Sequence, residues 1–360
     1  MNRIVVNIIA LCLLFGLLVP VSAHESDSAG AMKSESVNAQ DIVLGHVGDS
    51  YGWHITQWGD TPIVVPLPVI VYSAYTGWHV FMSSCLEDGQ VYDGFRIAAD
   101  GEYAGKVVEN TADGSVVRPF DISLTKNACA LLFNSILLVW IVLGTARWYR
   151  HRSPDSPAPG GFVGMMEMLI SMIYEDVIKS CVGKEYKRFA PYLLTVFFFI
   201  FLNNLMGLVP LFPGGANITG NIAVTFILAF CTFLAINLFG TKAYWKDIFW
   251  PHVPNWMKVP IPLMPLIELF GIFTKPFALM IRLFANILAG HSVILALTSL
   301  IFITASMGAA ISTGMTVVSV LFGVFMNLLE LLVAFIQAYV FTMLSAVFIG
   351  LAQAEPVSHK

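Results

Sequence analysis

Lys275-Pro276-Phe277-Ala278-Leu279-Met280-Ile281-Arg282-Leu283-Phe284-Ala285-Asn286-Ile287-Leu288-Ala289-Gly290-His291 is the stretch on which the reading of this chain turns. It sets an arginine inside apolar sequence. Nothing charged follows Arg282 until Glu330, which is itself alone in an apolar run. An arginine held at bilayer depth costs about 2.5–3.5 kcal/mol on insertion scales, so it faces other protein or a water-filled path and marks a functional site. The plain alternative is an arginine snorkelling from a helix end to the headgroups. Apolar sequence continues far past Arg282, which favours an intramembrane site.

Composition agrees. The chain is 57% hydrophobic and only 12% charged, with a mean hydropathy of +0.76, far from the soluble norm of about 25% charged. A net charge of −4 hides an asymmetry: residues 24–127 carry 14 acidic and 5 basic side chains, and residues 128–360 carry 9 and 13. No Lys/Arg-rich run suited to nucleic acid is present. The fold class expected is an all-α polytopic membrane protein with about five membrane-embedded segments, the last two long and tilted. A small β-rich extracytoplasmic domain precedes them.

Residues 1–23 have the form of a signal peptide: Arg3, an apolar run from Ile8 to Val19, and a small-residue site at Val21-Ser22-Ala23. An uncleaved signal anchor is the alternative, and either one exports the segment beyond Ala23. Residues 24–127 form an extracytoplasmic extension. Its first part, 24–40, reads as a flexible lead. Candidate strands come next at Ile63–Val65, Val69–Tyr72 and His79–Met82, with turns at Asp88-Gly89, Asp93-Gly94, Asp100-Gly101 and Asp113-Gly114. The acidic residues lack the order of a calcium loop. The five cysteines form neither a disulfide framework nor a CxxC motif.

Residues 128–352 are the membrane domain and 353–360 a cytoplasmic tail. The first span runs from about Ala128 to Ala146, and Arg147, Arg150 and Arg152 fix its end as cytoplasmic. Phe162–Val182 is expected to be an amphipathic helix on the cytoplasmic surface, with Met165, Met166, Leu169, Ile170, Ile173 and Val177 on one face. Phe189 to Thr241 reads as two spans broken by Pro210, Pro213, Gly214 and Gly215. Lys242, Lys246 and Lys258 lie in an aromatic cytoplasmic loop, and the last segments are Pro262 to about Ser306 and about Met315 to Ala352. Every basic cluster after Asn127 then falls on the cytoplasmic side.

Glu268, Lys275 and Arg282 are seven residues apart and so drift only about 20° per step on an ideal helix. Asn286 lies one turn beyond Arg282, and Ala278, Ala285 and Ala289 leave room for another helix to approach. Glu330 and Gln337 on the last helix are also seven apart. If Gln337 is level with Arg282 in an antiparallel pair, Glu330 lies about 10 Å and His291 about 13 Å further outward. Imidazole and carboxylate arrive at similar depth.

These residues resemble a known family, subunit a of the F-type ATP synthase, over about Ala128 to Ala352. The resemblance rests on Phe201-Leu202-Asn203-Asn204-Leu205-Met206-Gly207-Leu208-Val209-Pro210, Glu268, Thr274-Lys275-Pro276, the run from Arg282 to His291, and Glu330 with Leu331 to Phe341 around Gln337. It implies that Arg282 faces an essential carboxylate on a ring of small two-helix c subunits, and that two offset half-channels carry protons to and from it. His291, Glu330 and Asn203 or Asn204 would line the outer path, and Glu268 and Lys275 the inner one. Asn286 and Gln337 would belong to the same proton path. Implied partners are the c-ring, b-type peripheral stalk subunits, the catalytic head indirectly, and the lipid bilayer of a bacterial inner membrane. The extension departs from the core family. No Walker-type GxxxxGK[ST] is present, so the chain is expected to be a non-catalytic subunit with no cofactor and no metal. A secondary transporter would also bury Arg and Glu, but should show related halves with broken helices. An anchored exported receptor would not need intramembrane Arg, His and Glu.

Overall fold

The computed structural model describes residues 49–58, 61–98, 103–110, 116–153, 157–209, 214–250, 263–304 and 309–354. The signal peptide at 1–23, the lead at 24–40, two of the four Asp-Gly turns, Pro210, Pro213, Trp256, Lys258 and the end of the tail lie outside them.

Short antiparallel strands open the described chain. β1 (Gly52–Trp58) pairs with β2 (Thr61–Pro66) from Gly52↔Pro66 to Trp58↔Thr61, with a bulge between His54 and Thr56. β3 (Pro68–Ser73) is central in a second sheet, between β4 (Gly77–Met82) and the two-residue β8 (Phe120–Asp121). β5 (Phe95–Ile97), β6 (Val107–Asn110) and β7 (Val116–Val117) form a third. Val69, Val71 and Phe81 from the second sheet meet Phe95 and Val107 from the third, with Leu86 and Tyr51, in a small core. Asp93-Gly94 turns as expected: both residues have positive φ, 52° and 84°, and Tyr92 and Phe95 exchange two backbone hydrogen bonds of 2.9 Å. That is the two-residue hairpin geometry an Asp-Gly pair favours. The three expected strands are present. Of the other five described strands, β5 to β8 are runs of two to four residues, too short to show an alternating period.

The remainder is helical. α1 (Lys126–Arg150) starts at an N-cap, where Thr125 Oγ1 accepts from the Ala128 amide, and ends with Arg147 and Arg150 against the negative end of the helix dipole. α2 begins as Gly161–Ser171, winds as a π-helix over Met172–Lys179 and closes with Ser180–Val182. Gly183, at φ 76°, ends it in the left-handed region that glycine tolerates. α3 (Tyr186–Leu208) and α4 (Ile222–Leu238) come next, the latter capped by Asn221 Oδ1 on the Ala223 amide. The chain then bends by 98° into α5 (Lys242–Phe249). α6 (Leu263–Thr304) and α7 (Ala309–Gln353) are the two long helices.

Among the described residues, four helical segments are long and apolar enough to cross a membrane, or up to five if the bent pair α4–α5 is one span. With 42 and 45 residues, α6 and α7 are about 63 and 68 Å long, roughly twice the hydrocarbon thickness. They stay within it only by tilting strongly. α2 differs from the surface helix expected. Ile173, Val177, Ile178 and Val182 are buried in the main core with Phe197, Phe341 and Ile349. Its polar edge does remain exposed at Glu167 and Glu175, and so does Met165. Amphipathic spacing identifies an apolar face, and here that face is covered by protein. A Cβ on Gly350 of α7 would collide with the carbonyl of Cys181, which shows how closely the two helices pass.

Candidate functional site, a polar track between the long helices

The antiparallel pair α6–α7 carries the site. Near its centre Asn286 Nδ2 donates to Gln337 Oε1 at 3.3 Å. One further turn along, His291 Nδ1 stands 2.8 Å from Glu330 Oε1. Glu330 and Gln337 are buried, and His291 is partly so. The His291–Glu330 approach has the length of a hydrogen bond without its alignment, and neither Glu330 oxygen has an aligned partner among the described residues. A buried carboxylate in that state is costly unless it takes a proton or is solvated. Two glycines make room for the pair. A Cβ at Gly290 would lie 3.1 Å from Glu330 Oε1, and one at Gly207 would lie 3.4 Å from His291 Nε2.

Arg282 sits about 6 Å along α6 from Asn286 and about 13 Å from His291 at ideal rise. It is exposed, and among the described residues it has neither an ion pair nor a hydrogen bond. Ala278, Ala285 and Ala289 are exposed beside it, so this stripe of α6 is not covered by the other described helices. On the other side of Arg282, Lys275 Nζ lies 5.8 Å from the centre of the Phe348 ring on α7, and Glu268 is partly buried. Gln337, supposed level with Arg282 in the sequence reading, makes its side-chain contact one turn further along α6, with Asn286. Side chains lean toward the helix N-terminus, so levelling Cα positions misassigns a neighbour by about a turn. The expected meeting of His291 and Glu330 does occur.

Asn203 and Asn204 are both buried on α3 but serve different neighbours. Asn203 Oδ1 accepts from Asn134 Nδ2 of α1 at 3.0 Å, while its own Nδ2 donates to the Phe199 carbonyl at 2.7 Å. Asn204 Oδ1 accepts from Thr219 Oγ1 at 2.6 Å, and its Nδ2 reaches the Ala334 carbonyl of α7 at 3.4 Å. Buried polar side chains therefore connect α1, the segment before α4, α3 and α7. Asn134 and Thr219 have no sequence signal beyond being polar in apolar surroundings. A separate cluster escapes sequence reasoning for the same reason: Tyr192 Oη lies 3.0 Å from Thr232 Oγ1, which lies 3.4 Å from Ser345 Oγ, joining α3, α4 and α7.

Comparison with known proteins agrees with this architecture. The family described as "ATP synthase A chain" matches residues 131–350, and one described as "Domain of unknown function (DUF8433)" matches residues 42–126. The chain is 46% identical over 247 residues to "ATP synthase subunit a" of Chlorobium phaeobacteroides (strain DSM 266 / SMG 266 / 2430), covering 67% of this chain and 68% of that protein. It is 44% identical over 240 residues to "ATP synthase subunit a" of Chloroherpeton thalassium (strain ATCC 35110 / GB-78), covering 66% and 68%. To that of Myxococcus xanthus (strain DK1622) it is 39% identical over 261 residues, covering 71% and 80%. A match that spans the polar track and both long helices, with relatives of one name, leads to one conclusion: the chain belongs to the ATP synthase A chain family.

Proposed function

We propose that this chain is the proton-translocating a subunit of an F-type ATP synthase, with two offset half-channels meeting a rotating ring of c subunits at Arg282. The observation that carries the reading is Arg282 itself, a guanidinium in mid-helix, exposed, unpaired within the described chain and flanked by alanines. Its counter-charge then lies on another subunit, and the alanines let that subunit's helix come close. Arginine does not deprotonate in proteins. It therefore conducts nothing, bars a direct leak, attracts an ionised ring carboxylate and discourages a protonated one from stopping.

His291 and Glu330 form the outer relay, with Asn286 and Gln337 between them and Arg282. Asn203 and Asn204 border the outer path, and Lys275 and Glu268 the inner one. Each proton crossing releases about 2.3 kcal/mol per 100 mV, and that energy biases ring rotation. The chain supplies this path and no nucleotide chemistry. It works beside the c-ring and b-type stalk subunits in a bacterial inner membrane. Residues 1–23 act as a signal peptide and residues 24–127 form an extracytoplasmic extension. Residues 128–352 are the channel, and 353–360 end in the cytoplasm beside the basic clusters.

The test is Arg282→Ala, measured as ATP-driven proton pumping and passive leak in vesicles containing equal amounts of assembled complex. Pumping is expected to vanish while insertion persists, since alanine removes a costly residue from the bilayer. Arg282→Lys is expected to fail as well, because lysine lacks the planar fork and can deprotonate when desolvated. Wild-type pumping by Arg282→Ala would end the reading.

A further inference from the structure

The sheet β4-β3-β8 has two apolar faces. One is the small core, reached by Val69, Val71 and Phe81. The other carries Tyr72, Trp78, Val80, Met82, Phe120 and Ile122, all exposed. Trp78 is 61%, Val80 69% and Phe120 65% exposed. These residues are neighbours by register, with Tyr72 opposite both Trp78 and Phe120 and Pro68 opposite Met82. The rings of Tyr72 and Trp78 touch, with centroids 5.1 Å apart. An antiparallel sheet with one face packed on a core ordinarily turns polar side chains outward. A contiguous apolar face of this kind marks an interaction surface or a membrane contact.

The position of the sheet decides between occupants. β8 ends at Asp121, and α1 begins at Lys126. Four residues separate Phe120 from the N-cap Thr125, a reach of at most about 18 Å. The junction is also tied down: Asp49 Oδ1 accepts from the Asn127 amide at 3.0 Å, and the Lys126 amide donates to the Ser50 carbonyl at 2.9 Å. With 25 residues, α1 is about 37 Å long, more than the hydrocarbon core of about 30 Å, so its first turn lies in the headgroup layer. The sheet is held at that level. Its outer face combines Trp and Tyr, whose rings favour the membrane–water interface, with aliphatic side chains and no charge.

We propose that this sheet face is a membrane-surface anchor, whose aromatic and aliphatic side chains lie in the headgroup–acyl boundary of the leaflet where α1 begins. The occupant is lipid. The contact is made through apolar burial rather than charge, because none of the six residues is basic and the extension is acidic. Neutral phosphatidylcholine is therefore sufficient.

The test uses the intact complex in phosphatidylcholine vesicles, with native cysteines replaced and nitroxide labels at Val80→Cys and Phe120→Cys. Asn110→Cys, exposed on β6, serves as the water reference. The accessibility ratio of oxygen to a water-soluble nickel chelate is expected to be several-fold higher at 80 and 120 than at 110. Equal ratios at all three positions would overturn the anchor in favour of a solvent face. Exclusion of both reagents from 80 and 120 would overturn it in favour of a protein partner. Trp78→Phe with native cysteines intact gives an independent reading. Acyl-brominated phosphatidylcholine is expected to quench less total tryptophan emission from that variant than from wild type, and equal quenching would count against the anchor.

Discussion

Glu330 and His291 stand 2.8 Å apart on different helices, with Gly290 and Gly207 leaving them space. A carboxylate beside an imidazole can pass one proton between them without either standing as an isolated buried charge. Two carboxylates at that distance cannot both ionise cheaply, and two imidazoles leave no acid at that level. His291→Glu and Glu330→His are therefore each expected to slow proton-driven ATP synthesis. The exchange of both is expected to recover a substantial part of the rate, because effects at two residues in contact do not add. Synthesis would be compared for all four genotypes at equal assembly. A double exchange no better than the worse single change would show that the pair does not work as a relay. His291 and Glu330 are legible as partners because sequence spacing, together with the antiparallel hairpin, brings them to one depth. Asn134 and Thr219 are not, since each is a lone polar residue whose partner lies on another helix and at no fixed spacing.

Helices here are positioned by close approach and by capping, and each has a testable residue. Gly350 of α7 passes so near the Cys181 carbonyl that any side chain there must move backbone. Overpacking of a fitted core costs about 1–3 kcal/mol. Gly350→Ala is accordingly expected to lower thermal stability of the assembled complex, and unchanged stability would show that α2 yields freely. The existence of α2 is readable from its apolar spacing; its burial is not, because the pattern is the same whether lipid or protein covers the face. At the other end of the molecule Asp49 caps α1 from a distance, accepting from the amides of Asn127 and Ser50. Burial pushes its carboxyl above the ordinary 3.8, although those amides and Lys126 pull the other way. A raised folded pKa means that the fold favours the protonated form. The contribution is full below about 3.8 and declines as pH rises through the raised value. Proteolysis of the junction is thus expected to accelerate as pH rises through that window, after correction for the protease's own rate. Asp49→Asn keeps the carbonyl acceptor and removes the charge, so its cleavage rate is expected to stay flat. A wild-type rate independent of pH would show that Asp49 titrates alike in both states.

At the scale of the whole chain, a β-rich extension is joined to a helical membrane part, and the two differ in how they can be read. The helical part announces itself through long uncharged runs and basic ends, because lipid forces helical spans to satisfy their own backbone. The extension offers only short strands whose pairing is non-local, so its sheets emerge only in three dimensions. The parts do touch: Trp53 belongs to the same buried cluster as Leu131 and Phe197, and Ser50 and Asp49 bond the first turn of α1. None of the polar groups between α6 and α7, however, has a partner in residues 49–121 among the described contacts. Deleting residues 41–120 while keeping 1–40 and a short linker is therefore expected to act on assembly, through the loss of Asp49 and Ser50 from the first turn of α1 and a lost surface contact, and to leave conduction per assembled complex near wild type. Each lost hydrogen bond costs about 0.5–1.5 kcal/mol, enough to reduce the amount of complex without touching its chemistry. Amount is read by co-purification with the other subunits, and conduction by proton flux normalised to that amount. A fully assembled complex that conducts no protons would move part of the channel into the extension and contradict its assignment to residues 128–352.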